Sequence, residues 1–194
     1  ERRVERFGAV CCGKDYYAVI ALKAIHLGQQ LVQGLFSLIV TAHLSVTFFT
    51  DGIDLIDKYN TWSSYQPEDE GILVACASIH GNTKKAAELL AEKLKATGVK
   101  VAFTDVCRDD MAEAVEDAFR YDRLVLAAPT YDGGVMPVMA DFINHLKMKA
   151  YQKRKVAFIE NGSWAPMAAK LMKEQMSAMK DIEIVDEHVT IRSA

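Results

Sequence analysis

The sequence predicts a doubly wound α/β fold, a parallel five-stranded sheet in the order 2-1-3-4-5 with helices on both faces. Three observations carry this. From Gly71 onward, apolar runs of strand length alternate with stretches of helical periodicity, the signature of repeated β/α units. The runs Ile72–Ala77, Leu124–Ala128 and Val156–Ile159 are continuously apolar, as strands covered on both faces require. Those around Val99–Phe103 and Ile182–Ile184 instead alternate with polar residues, which suits strands nearer the sheet edges. The continuous strands therefore go to the middle and the alternating ones to the outside.

Element by element, the chain begins with residues 1–60, an irregular or helical appendage. Tyr16 to Ile39 has helical character, and Ile53, Ile56 and Tyr59 sit at helix spacing, predicting a short amphipathic helix over Asp51–Asn60. Leu31–Phe49 carries no formal charge and has the length of a membrane span. Gln33, Ser37, Thr41, His43, Ser45 and Thr47 interrupt it and no basic cluster flanks it, so a span is not expected. Residues 61–70 are polar, contain Pro67 and lead to Gly71, which reads as a linker.

Strand Ile72–Ala77 leads into a helix over Asn82–Ala96, with Ala86, Leu90 and Leu94 predicted on its inner side. After the edge strand, Met111, Ala114, Val115, Ala118 and Phe119 fall on one helical face. Val138, Met139, Phe142, Ile143 and Leu146 mark the next helix, beyond the third strand. Past the fourth strand, Ala168, Leu171, Met172 and Met179 mark another. Pro166 is expected in the first turn of that last helix.

Composition narrows the function. The 194 residues are 51% hydrophobic and carry a formal net charge of -3, enough chain for a domain plus an appendage and no basic face for nucleic acid. Four cysteines without C-x-x-C spacing argue against a zinc site or disulfide framework, and suggest a reducing, cytoplasmic setting. The N-terminal residues do not follow the pattern of a signal peptide.

In a doubly wound sheet, ligands sit beyond the carboxyl ends of the strands, where neighbouring connections diverge. Three loops meet there. Ser78-Ile79-His80-Gly81-Asn82-Thr83 runs straight into a helix, whose N-terminal N–H groups and dipole suit a phosphate. It has neither the G-K-[S/T] of a nucleotide triphosphate loop nor G-x-G-x-x-G. Ala128-Pro129-Thr130-Tyr131-Asp132-Gly133-Gly134 offers two glycines and a ring for stacking a flat ligand. Glu160-Asn161-Gly162-Ser163-Trp164-Ala165-Pro166 adds a tryptophan. Each alone also reads as an ordinary element: a capped helix, a glycine turn, a tryptophan of a core or an interface. All three at one sheet edge favour a binding site.

These three loops resemble the FMN loops of flavodiiron proteins, also called A-type flavoproteins. The likeness runs from about Asp54 to the end and includes Asp57-Lys58-Tyr59-Asn60-Thr61-Trp62-Ser63, similar to that family's interdomain connector. The resemblance implies a flavodoxin-like FMN-binding domain over Gly71–Ala194. It implies that Ser78, Ile79, His80, Gly81, Asn82 and Thr83 surround the FMN phosphate. Pro129, Thr130, Tyr131, Asp132, Gly133 and Gly134 then face the isoalloxazine ring, with Asn161, Gly162, Ser163 and Trp164 on its other side. It implies redox partners such as rubredoxin or a flavin reductase, and admits a homodimer. Asp132 stands where that family often carries asparagine, so a lowered flavin potential is expected.

The sequence also departs from that family. Its di-iron centre needs clustered His, Asp and Glu ligands. Of His26, His43, His80, His145 and His188, none lies in an H-x-E/H-x-D-H cluster, so no di-iron site is expected; residues 1–60 read at most as a remnant of the metal-binding domain. The family continues past the fifth strand into one more helix, so an apolar patch is expected near the end of the chain unless the N-terminal segment covers it. Two alternatives stay open: a flavodoxin-like NAD(P)H:quinone reductase, and a flavin-free signalling or interaction module. A receiver-type module is disfavoured, because Cys76-Ala77-Ser78 and Ala127-Ala128-Pro129 stand where it needs acidic residues.

Overall fold

The chain divides into two units, Glu1–Asp54 and Leu55–Ala194. The computed structural model describes residues 56–192, all within the second unit. The expectations for Tyr16–Ile39 and Leu31–Phe49, and the first half of Asp51–Asn60, lie outside the described residues.

Residues 56–63 are helical, and the stretch read as a linker is largely ordered structure. It holds the last turn of that helix and the first two residues of β1 (Asp69–Cys76), which starts earlier than its apolar run. Two hydrogen bonds donated by backbone N–H groups accompany the early start. Glu68 N donates to Arg120 O, and Gly71 N donates to the Asp122 carboxylate at 2.7 Å.

The elements after β1 alternate as predicted. They are α1 (Asn82–Ala96), β2 (Val101–Asp105), α2 (Met111–Arg120), β3 (Tyr121–Tyr131), β4 (Gly134–Val135), α3 (Pro137–Met148), β5 (Arg154–Asn161), α4 (Ala168–Ser177) and β6 (Ile182–Ile191). The sheet order is β2-β1-β3-β5-β6 with every neighbouring pair parallel, the predicted 2-1-3-4-5. The additional strand β4 pairs antiparallel with the end of β3. It was missed because Asp132-Gly133 was read as part of a flexible glycine loop. Both residues have positive φ, 50° and 73°, the requirement of a two-residue type I′ hairpin. The Asp-Gly pair was the available signal.

Strand alternation sorts the core into two layers. Leu73, Ala75, Leu124, Leu126, Val156 and Phe158 face α2, α3 and α4, whose Val115, Phe142, Leu146 and Met172 fill the larger cluster. Ile72, Val74, Cys76, Val125, Ala127 and Ile159 face α1. The inner stripe of α1 is rotated from the prediction: Thr83, Ala87 and Ala91 are buried, while Leu90 and Leu94 only flank the contact. Small residues let the helix lie close to the sheet, so the inner stripe is the one with least bulk. On the edge strand β6, Val185 and Val189 are exposed.

The amino ends of the strands are held by a buried arginine. Arg154 donates to the carbonyls of Phe119, Tyr121, Gln152, Lys153 and Tyr65, and neighbouring Lys153 donates to Ser64 O. Burial lowers the pKa of this guanidinium below its ordinary value. Phe119 O lies in the last turn of α2, where a positive charge is favourable.

Candidate functional site

The three loops singled out in the sequence all lie at the carboxyl ends of the central strands. Their side chains fall into two groups, some turned out to solvent and some turned in to hold the loops.

The first loop joins β1 to α1. Its last residue, Gly81, takes the N-cap position with φ 90° and ψ -12°, a left-handed conformation that glycine adopts without strain. A Cβ there would meet nothing within 4 Å, so backbone conformation and not crowding selects the glycine. The Ser78 hydroxyl accepts from Gly81 N at 2.9 Å and braces the turn. No side chain caps α1, and no acidic residue sits in its first turn. Such a terminus attracts anions through its N–H groups and dipole.

The charge nearest this terminus is already committed. Lys84, in the first turn of α1, lies 3.1 Å from Asp105 Oδ2, and this hydrogen bond raises the lysine pKa above its ordinary value. Asp105 is buried at the end of β2, where it also meets Arg108 at 3.5 Å and accepts from Cys107 N. Behind the loop, burial pushes the Cys76 thiol up to about 12, and Asp105 adds to the shift. Cys76 is therefore an inert packing residue at neutral pH.

The second loop is the β3–β4 hairpin. Its strand runs on through Pro129 to Tyr131, further than the apolar run suggested. Pro129 is buried in the ladder opposite Asn161. Its missing N–H would face the chain just beyond the last paired residues of β1, Cys76–Ala127. The Thr130 hydroxyl accepts from Met167 N and Ala168 N at 2.9 and 3.1 Å. Tyr131, Asp132 and Gly133 at the tip are exposed.

The third loop follows β5. Glu160 is buried; one carboxylate oxygen accepts from Ala169 N at 2.9 Å. The other accepts from Thr190 at 2.8 Å and lies 3.6 Å from His188 Nε2. Together Thr130 and Glu160 occupy the N-terminal N–H groups of α4. That helix starts at Ala168, so Pro166 lies before it rather than in its first turn. Pro166 instead packs against Gly162, where a Cβ would come within 3.0 Å of Pro166 Cα and 3.3 Å of the Thr130 hydroxyl. Asn161 and Thr83 are both buried and joined by a 3.2 Å hydrogen bond. Ser163 and Trp164 are exposed, the tryptophan at 98%.

Each loop therefore exposes one large apolar side chain: Ile79 at 46%, Tyr131 at 48% and Trp164 at 98%. Thr83, Pro129, Thr130 and Asn161 form the frame beneath them. Sequence inspection did not separate these groups, because an inward hydroxyl and an outward one look alike in a string of letters. It also passed over Glu160 as a capping residue, and its place two residues ahead of Gly162 carried no signal of that role. Among the described residues, no cluster of three or more His, Cys, Asp or Glu is placed to hold a metal ion. No described helix is long and apolar enough to cross a membrane.

Comparison with known proteins gives a consistent answer. A family model for the flavodoxin domain matches residues 73–188, more than half of the chain. An anaerobic nitric oxide reductase flavorubredoxin of Aeromonas hydrophila is 24% identical over 151 residues, covering 76% of this chain and 30% of the relative. A nitric oxide reductase of Moorella thermoacetica is 24% identical over 134 residues, 69% of this chain and 33% of the relative. The chain thus spans about a third of the length of these curated relatives. Among solved structures, rubredoxin oxygen:oxidoreductase of Desulfovibrio gigas matches with a TM-score of 0.67 and 17% identity, over 72% of this chain and 34% of that one. The matched span, the strand order and the three loops at one sheet edge agree, and the chain belongs to the flavodoxin domain family.

Proposed function

We propose that this domain binds FMN at the carboxyl edge of the sheet and carries electrons through it, exchanging them with protein partners of the rubredoxin or flavin-reductase type. One observation carries the reading. An uncapped helix N-terminus stands at the edge where three loops each expose a large apolar side chain. That pairs an anion site with apolar surface for a flat ring, the two demands of a flavin mononucleotide.

In this arrangement the α1 N-terminus and Ser78–Asn82 hold the phosphate through N–H groups and short side chains, since Lys84 is engaged by Asp105. Tyr131 and Trp164 cover the ring and keep water from it. Asp132, exposed at the hairpin tip, places a carboxylate near the ring and disfavours added negative charge there. Bound FMN supplies the one- and two-electron chemistry, and the protein sets its position and electrostatics. The relatives' names, a nitric oxide reductase flavorubredoxin and a rubredoxin oxygen:oxidoreductase, fit this redox setting and do not favour the quinone reductase reading.

The visible absorption spectrum after FMN addition tests the proposal. A bound flavin with shifted, structured bands is expected; a protein with no affinity for FMN overturns it.

A further inference from the structure

Asn161 is the last residue of β5, and its side chain leaves the strand to reach α1. Its amide donates to the Thr83 hydroxyl at 3.2 Å, joining positions 78 residues apart in the sequence. Both side chains are sealed from solvent, at 8% and 1% exposure. Each end of this bond is anchored. Thr83 belongs to the inner stripe of α1 with Ala87 and Ala91. Asn161 pairs with Pro129 on one side and Ile191 on the other, and Gly162 N donates to Ile191 O at 3.0 Å. On the far side of Asn161 the chain has little slack, because Gly162 is pressed against Pro166 and Thr130. The bond thus ties the first turn of α1 to the root of the loop that exposes Trp164.

We propose that Asn161 is a positioning residue that couples the phosphate end of the site to the Gly162–Trp164 loop through Thr83. This rests on the reading that the α1 N-terminus and Ser78–Asn82 hold a phosphate. An anion at the α1 terminus fixes the first turn of that helix, and Thr83 with it. The buried bond then fixes Asn161 and the start of the following loop, so that Trp164 is held in place for the ring. Coupling between two sites is a shared free energy, and it is lost when the element joining them is cut.

Riboflavin, which lacks the phosphate, separates this role from a merely structural one. In the full chain, Asn161→Ala is expected to weaken FMN binding by roughly tenfold and riboflavin binding by less than about twofold, since a broken buried hydrogen bond removes only the phosphate's leverage on the loop. Thr83→Val should reproduce that selective loss, Thr83→Ser should retain the parent's preference for FMN, and the double variant Asn161→Ala/Thr83→Val should lose no more than either alone. If Asn161→Ala does not fold, Thr83→Val supplies the same comparison.

A second readout uses the emission of Trp164 in a Trp62→Phe background, which leaves Trp164 as the one tryptophan. Inorganic phosphate should shift that emission, and adding Asn161→Ala should abolish the shift. Equal losses on FMN and riboflavin, or a phosphate-induced shift that survives Asn161→Ala, overturn the coupling. A parent protein that binds no FMN overturns the proposed function instead, so the two failures are told apart.

Discussion

Two helices begin at the same edge of this sheet, and their N-termini have different surroundings. That of α4 is engaged by the protein's side chains: Thr130 accepts from Met167 N and Ala168 N, and the buried Glu160 accepts from Ala169 N. That of α1 has no side-chain cap, and its N-cap glycine leaves open space above the turn. Both termini offer the same partial positive charge and unmet donors. What differs is where neighbouring strands aim their polar side chains. β3 and β5 send Thr130 and Glu160 to α4, whereas Asp105 at the end of β2 takes the Lys84 side chain. One helix start is held by the protein's own side chains, and the other is the one we propose takes a phosphate.

Substitutions at α4 should then cost stability, and those at α1 should cost ligand binding. The largest effect is expected from Glu160→Ala, which leaves Ala169 N, Thr190 and His188 without their shared carboxylate. A loss of about 2–4 kcal/mol in urea unfolding is expected, as charge-assisted buried hydrogen bonds are among the stronger ones. A loss under about 0.5 kcal/mol, the level of an ordinary surface change, would mean that this terminus is not held as described. Thr130→Val removes the cap on two N–H groups at nearly constant shape. It should cost about 1–2 kcal/mol, the upper range for cap removal, and leave FMN affinity nearly unchanged. A mainly ligand-binding defect would return Thr130 to the flavin.

At the other helix, Gly81→Ala forces an alanine into left-handed backbone. Its stability cost should be about 1 kcal/mol. FMN affinity should fall by more than riboflavin affinity, as isothermal titration of both ligands would read. Equal effects on the two ligands would break the contrast. The smallest effect is expected from Asp132→Asn, which tolerates the same positive φ and should leave stability unchanged. With FMN bound, a reductive titration should show its potential moved upward; an unchanged or lowered potential removes Asp132 from the electrostatics of the ring.

The fold was legible because it is written in the length and polarity of apolar runs. Val74, Leu126 and Phe158 sit in continuous segments and lie in the covered centre, while Phe103 and Ile184 alternate with polar neighbours and lie in edge strands. The three loops were legible because glycine and small polar residues recur at strand ends. Side-chain direction was not. Thr83 and Thr130 are the residue type that serves a ligand or a helix cap equally well, and only the neighbouring chain decides which. The rotated inner stripe of α1 has the same origin: periodicity picks out leucines, but closeness to a sheet selects Ala87 and Ala91. Tyr131-Asp132-Gly133-Gly134 was a missed opportunity rather than an unreadable one, since Asp-Gly between extended segments is a hairpin signal.

The clamp at the opposite end of the sheet has a consequence for which substitutions the start of the domain tolerates. Arg154 and Lys153 grip the carbonyls of Tyr65 and Ser64, not their side chains. Every residue carries a carbonyl, so the grip reads the path of the incoming backbone and is blind to its letters. The left-handed turn at Tyr65, φ 57°, is the one local demand it adds. A substitution at Ser64 or Tyr65 that keeps the backbone path should therefore leave both of these bonds in place.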